Sequence, residues 1–169
     1  MQVAARWIPV GSRVFDIGCH QGEFLFWLGE KITSSVGLDP LYKEKTDPKN
    51  HQFYAQKFQG GLPFRDHSFD VVSLLATIEH IEGKSVIAQE SARLLRSGGR
   101  VVITVPSVIV DKILNVLIFL KILDGMSLQE HHGFMPGHLP SIFIPHGFRL
   151  RKKQVFQFGL NNLYVFERL

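Results

Sequence analysis

Short apolar runs rich in β-branched residues alternate along most of this chain with stretches of helical periodicity, and that alternation leaves few folds open. "RVFDI" (13–17), bounded by Gly11 and Gly18, reads as a buried strand. "GEFLFWLGEKI" (22–32) spaces Phe24, Leu25, Leu28 and Ile32 as one face of a helix, with Phe26 and Trp27 also expected in its core. "SSVGLD" (34–39), "HQFYAQKF" (51–58), "SFDVVSLLA" (68–76) and "RVVITVP" (100–106) supply four further strands. Before the last of these, "GKSVIAQESARLLRS" (83–97) predicts an amphipathic helix that turns Val86, Ile87, Leu94 and Leu95 inward and stops at Gly98-Gly99. A helix is expected over 107–123. The polar segment 40–50 is too short for a crossover helix, so a turn or a single helical turn is expected there.

Strands alternating with helices predict a parallel sheet covered on both faces. The end of the chain breaks the rhythm. "GFRLRKKQVFQFG" and "LNNLYVFERL" are both strand-like and are joined too tightly for a parallel crossover, so they must pair antiparallel. The expected fold is α/β, a doubly wound Rossmann-like sheet of seven mostly parallel strands with an antiparallel C-terminal hairpin. At 169 residues, a single domain over 1–169 is the simplest organisation, enough to bury about two-thirds of the unfolded surface.

Composition excludes several classes. The lone cysteine, Cys19, rules out an intramolecular disulfide and makes the cytoplasm the expected compartment. The N-terminus lacks the apolar core and cleavage site of a secretory signal. In "SVIVDKILNVLIFLKIL" (107–123), Asp111, Lys112 and Lys121 break the run well short of the ~20 residues that span a bilayer. That stretch reads as a buried helix, or as a patch for a lipid-like substrate or a partner. The net charge is +4, yet the one basic cluster (Arg149, Arg151, Lys152, Lys153) lacks the interleaved aromatics that stack bases. It reads as the solvated face of a strand and argues against a nucleic-acid partner. None of the eight histidines has zinc-ligand spacing, so no metal is expected.

The chemistry begins at "DIGCHQG" (16–22). Gly18 lets the backbone turn sharply off the first strand, and Gly22 lets the helix start pack closely. The free N–H groups at that helix start suit a carboxylate or phosphate. The spacing is G-x-x-x-G and not the G-x-G-x-x-G of dinucleotide sites. Asp39 closes the second strand, where a carboxylate can accept both hydroxyls of a ribose. Together the two features predict a nucleoside ligand without naming it.

Five segments in order, "VFDIGCHQGEF", "VGLDP", "LPFRDHSFDVVSLLATIEHI", "ARLLRSGGRVVITVPS" and "HHGFMPGHLPSIFIPHGF", resemble the successive motifs of class I S-adenosylmethionine-dependent methyltransferases. More narrowly, they resemble the small-molecule and cofactor methyltransferase subgroup (methyltransferase type 11-like). The likeness runs from about residue 9 to 168. It implies S-adenosylmethionine as cofactor and S-adenosylhomocysteine as product. It places Asp16, Gly18, Cys19, His20 and Gly22 around the methionine part, Asp39 on the ribose, and Pro40 and Leu41 beside the adenine. Gln59 and Gly60 would lie near the adenine amino group, and Ala76 under the sulfonium. His20 departs from the family's usual glycine, and Gln59 from its frequent aspartate.

The same likeness implies in-line methyl transfer to a small-molecule or lipid-like acceptor, by a monomer or homodimer. The candidate bases are His80, His131 and His132, with Glu79 behind them; His138 is expected to cap the helix that follows it. Phe134 and Met135 are candidates for a substrate wall. Only about a dozen residues precede "VFDIG", so the acceptor site is expected to be open, or closed by residues 124–140 or a partner chain. The alternative is a methyltransferase-like cofactor-binding module without turnover, to which His20 and Gln59 point. A macromolecular acceptor stays open, while the missing G-x-G-x-x-G argues against a nicotinamide oxidoreductase.

Overall fold

The computed structural model describes residues 1–43, 50–107, 110 and 135–169. A short helix α1 (Gln2–Ala5) leads to β1 (Ser12–Ile17), α2 (Glu23–Leu28), β2 (Ile32–Leu38) and β3 (His51–Tyr54). Then come β4 (Phe69–Leu75), α3 (Lys84–Leu94) and β5 (Leu95–Pro106), followed by α4 (Leu139–Phe143), β6 (Phe148–Phe156) and β7 (Asn161–Arg168). The strands form one seven-stranded sheet in the order β3-β2-β1-β4-β5-β7-β6. The first five strands run parallel, β7 is antiparallel to β5, and β6 is antiparallel to β7. The expected doubly wound sheet and C-terminal hairpin are both present.

Burial on both faces explains why the central strands are almost continuously apolar. On one face Phe24, Leu25 and Leu28 of α2, with Ala4, Ala5 and Ile8, cover Val14, Val71, Val102, Leu163 and Val165. On the other, Ile87 and Leu94 of α3 and Phe143 of α4 pack on Phe15, Val72, Leu74, Ile103 and Phe166. The β3-β2-β1 and β4-β5 halves wind outward from the β1/β4 pair, so the carboxyl ends of β1 and β4 form the crevice where such sheets bind ligands.

Helix ends differ from the sequence expectation. The first crossover helix stops at Leu28, a single 3₁₀ turn (Gly29–Lys31) follows, and Ile32 already belongs to β2, paired with Ser12. Gly29 adopts φ +50°, which ends the helix there. Phe24 is buried as expected, but Trp27 is about half exposed, at 51%. Likewise α3 stops at Leu94 and not at Gly98-Gly99. Leu95 is extended, fully buried and paired with Phe69, while residues 96–99 loop out before Arg100 pairs with Val71. The Leu95 carbonyl accepts a hydrogen bond from Arg168 Nη1, which fixes the switch from helix to strand. Val86 lies outside the inward stripe of Ile87, Ser91 and Leu94 and is exposed, resting against Gly60.

β3 covers only 51–54, four residues shorter than expected. The chain turns after β2, with the Tyr42 N–H donating to the Asp39 carbonyl at 3.2 Å; residues 44–49 lie outside the described residues. So does nearly all of the helix expected over 107–123.

At the outer edge of the sheet, Arg149, Arg151, Lys152 and Lys153 are all exposed on β6. Arg149 and Arg151 both pair with Glu167, and Arg151 is the extra residue of a bulge between Leu150 and Lys152.

The "LPFRD" segment is tied to α3 by one guanidinium. Arg93 donates to the carbonyls of Leu62 (3.0 Å) and Phe64 (2.7 Å) and to Asp66 (2.7 Å). It also grips Glu90 at 2.6 Å, and Glu90 in turn accepts the Leu62 N–H at 2.9 Å. Replacing Arg93 by Met leaves a largely buried carboxylate without its cation. It is expected to cost about 3 kcal/mol, read as a lower urea midpoint with an unchanged slope.

Candidate functional site

The loop after β1 bends over the end of β2. The Gly18 N–H donates to the Leu38 carbonyl at 2.7 Å and the Cys19 N–H to the same oxygen at 3.3 Å. Gly18 (φ +79°) has no room for a side chain, because a Cβ there would lie 2.2 Å from Thr77 Oγ1. Thr77 follows β4 and donates its hydroxyl to the Leu75 carbonyl at 3.1 Å. At Gly22 (φ +83°) a Cβ would come within 2.7 Å of the Phe53 ring, so the helix start is pressed against β3. The loop therefore touches the ends of β2, β3 and β4 at once.

Asp39 joins the two loops of the crevice. Its carboxylate accepts the His20 N–H at 2.9 Å from one side and the Leu41 N–H at 2.7 Å from the other. The two amides fix its orientation, and the residue is buried at 9% exposure. Beside it, Gln21 bridges the same two loops, with Nε2 donating to the Leu41 carbonyl at 2.7 Å and Oε1 accepting the Lys43 N–H at 3.3 Å.

His20 takes φ +50°, a left-handed conformation that costs a non-glycine residue about 1 kcal/mol. Its imidazole turns outward, 62% exposed, with Nδ1 3.0 Å from Glu23 Oε1. The side chain that stands where the family usually has glycine thus points away from the loop.

Asp16 lies at the carboxyl end of β1, 2% exposed, with Ser73 Oγ of β4 donating to its Oδ1 at 2.5 Å. Burial pushes its carboxyl up to about 7, the Ser73 hydrogen bond works against that, and the charges of Asp39 and Glu23 add to the rise. Burial, with Asp16 and Asp39 nearby, also raises the Cys19 thiol, so this cysteine stays protonated and is no nucleophile. Its sulfur faces Gly37, where a Cβ would sit 2.8 Å away.

Ala76, after β4, is held left-handed at φ +53°, its N–H donating to the Thr104 carbonyl at 2.8 Å. Backbone strain of this kind collects at functional sites. Pro40 and Leu41 are exposed beside Asp39, and Tyr42 stacks on Phe53 with ring centroids 4.5 Å apart. Gln59 and Gly60 line a hollow together with Gln56, Lys57, Gly61, Leu62 and Pro63. His80 is exposed in a 3₁₀ turn (Ile78–His80) after β4, and its N–H donates to the Thr77 carbonyl at 3.0 Å. His138 stands at the cap position of α4 but makes no side-chain capping bond. Met135 is exposed at 53%, whereas His131, His132 and Phe134 lie outside the described residues.

The structure thus gathers Asp16, Gly18, Cys19, His20, Gly22, Asp39 and Ala76 around the carboxyl ends of β1, β2 and β4. Three contributors were not read from the sequence. Ser73 left a trace, as the one hydroxyl inside the apolar run "VVSLLA". Thr77 and Gln21 left none, because their partners are set by the fold. These residues suit a bound adenosyl cofactor. Asp39 is held by amides of both loops, Gly18 keeps the loop backbone bare, and the carboxylates of Asp39 and Glu23, joined by Asp16 once it loses its proton, favour a positively charged ligand.

Residues 1–155 match the family described as "Methyltransferase domain". Over 105 residues, 55% of this chain, the sequence is 30% identical to 27-O-demethylrifamycin SV methyltransferase of Amycolatopsis mediterranei. Over 104 residues, 56% of this chain, it is 28% identical to demethylmenaquinone methyltransferase of Staphylococcus haemolyticus. Those matches span 38% and 44% of the two relatives, less than half of either. The fold is shared with an S-adenosylmethionine-dependent methyltransferase of Mesorhizobium loti, at TM-score 0.74 and 13% identity over 99% of this chain and 96% of that one.

Two outcomes test this geometry. Asp39→Ala strips two loop amides of their acceptor and is expected to lower stability by about 2 kcal/mol, while Asp39→Asn, which keeps an oxygen, costs under about 1 kcal/mol. Asp16 holds its proton in the fold up to about 7, against 3.8 ordinarily, so its contribution to stability is present at low pH and declines through that window. Thermal melts should therefore show Asp16→Asn gaining on the wild type from pH 4 to 7.

Proposed function

The chain belongs to the class I S-adenosylmethionine-dependent methyltransferases, and from that premise we propose that it transfers a methyl group from S-adenosylmethionine to a small organic, lipid-like acceptor. The observation that carries this reading is the Asp39 carboxylate, clamped by amides of both crevice loops at the end of β2. When bound, the cofactor supplies an activated methyl on a sulfonium, which passes in line to a nucleophilic atom of the acceptor and leaves S-adenosylhomocysteine.

The protein's part is to bind, orient and exclude water. Asp39 takes the ribose hydroxyls. The backbone at Gly18 and Cys19 and the Asp16 carboxylate face the amino-acid end. Ala76 forms the floor near the reacting centre. Gln59 and Gly60 flank the adenine from the neighbouring hollow. Where the acceptor is a hydroxyl, His80, His131 or His132 accepts its proton as the bond forms. Met135 contributes to the acceptor wall. The names of the two relatives, which refer to a demethylrifamycin and a demethylmenaquinone, support a small organic acceptor over a macromolecule. Among the described residues, no helix is long and apolar enough to cross a membrane.

The rival reading, a cofactor-holding module without turnover, draws on His20 and Gln59; the His20 imidazole, turned outward toward Glu23, supports turnover on the first of these. The test is calorimetry with S-adenosylmethionine and S-adenosylhomocysteine, followed by an assay of S-adenosylhomocysteine release over a panel of phenols and demethylated quinones. Micromolar binding is expected, weakened about tenfold or more in Asp39→Asn, which corresponds to about 1.4 kcal/mol. A folded wild type that binds neither ligand would sink the proposal.

A further inference from the structure

Ser73 is the one polar side chain on β4 that is wholly buried. Parallel pairing of β1 with β4 puts it directly opposite Asp16, and its hydroxyl has turned to donate to that carboxylate at 2.5 Å. A serine in an apolar strand stabilises little by packing. Its location is explained by what it does to the acid across the ladder.

The surroundings of Asp16 make that contact consequential. The other titratable groups that face it are Asp39 from the end of β2, Glu23 from α2 and the Cys19 thiol from the loop. Glu23 shares its own charge with the His20 ring. Each of these partners is anionic or neutral, and among the described residues it is the Ser73 hydroxyl that favours the ionised form of Asp16. Against it stands complete burial, which holds the carboxyl near neutrality.

We propose that Ser73 is a positioning residue whose hydroxyl favours the charged form of the buried Asp16 and thereby sets how far down in pH a cationic adenosyl ligand, whose affinity rises with pH, still binds tightly. The inference rests on the cofactor reading of this crevice and adds to it a residue and a proton. Binding S-adenosylmethionine, which carries a sulfonium as well as an ammonium, releases a proton from Asp16 below its midpoint. S-adenosylhomocysteine lacks the sulfonium and couples less strongly. The preference for cofactor over product therefore grows as pH rises.

The test is calorimetry of both ligands from pH 5.5 to 8, in buffers of different ionisation heat, with wild type, Ser73→Ala, Ser73→Cys and Asp16→Asn (conditions about one unit either side of the midpoint). For the wild type, S-adenosylmethionine affinity should climb with pH, by up to about tenfold per unit, and level off near the midpoint, with matching proton release. Ser73→Ala should move that midpoint upward while affinity recovers at high pH; Ser73→Cys, of similar volume, falls between. Asp16→Asn should flatten the profile. If Ser73→Ala weakens binding equally at every pH, the serine merely packs and the proposal is wrong. Should that variant fail to fold, a slope retained in Asp16→Asn overturns the proposal instead. Binding with a flat wild-type profile defeats this inference alone, whereas no binding at any pH defeats the cofactor reading and this one with it.

Discussion

A carboxylic acid shut inside the sheet is expensive, and the crevice is organised around the one at Asp16. Desolvation disfavours its charge, so the structure offers it a hydroxyl from the neighbouring strand and leaves cations to come from outside. The location follows from topology. Only at the β1/β4 junction do the two halves of the sheet part, and only there can a polar group at a strand end lie beneath a loop and still reach a ligand. The glycine loop, the left-handed Ala76 and the Asp39 clamp are all grouped at that junction.

The crevice also shows how a departure from a family pattern can be absorbed. A side chain at position 20 would obstruct the loop if it followed the backbone inward. With a positive φ the Cβ points the other way, and Glu23 one helical turn on gives the ring a partner in solvent. The backbone N–H at the same residue keeps its bond to Asp39. What the loop needs at this position is a left-handed backbone with a free amide, which glycine supplies without strain and histidine supplies at a modest cost.

Much of this was legible in the sequence, for a physical reason. Buried parallel strands must be apolar throughout, a two-stranded end joined by a few residues must be antiparallel, and the glycines at 18 and 22 mark places where backbone meets another group. Element ends were not legible. Ile32 and Leu95 fit a helical face and a strand equally well, and the decision lay with distant partners, Ser12 for the one and Phe69 with Arg168 for the other. Val86 looked apolar enough for the core, yet sits one residue off the stripe that meets the sheet. Asp39 was singled out from its position at the end of the second strand and Asp16 from the family resemblance, while Ser73, Thr77 and Gln21 act through neighbours remote in sequence that only the fold identifies.

The outer strand β6 has a bearing on the company this protein can keep. An exposed sheet edge is an invitation to any chain with unpaired amides. Here the invitation is restricted. Arg151 bulges out of the ladder, Lys152 and Lys153 stand beside it, and Glu167, the acid within reach, is already engaged by two arginines. A second copy approaching edge to edge would set like charges against like over several residues, whereas a strand rich in Asp or Glu would meet no such opposition. At this border of the sheet, then, the sign of the charge decides which strands could lie alongside without repulsion.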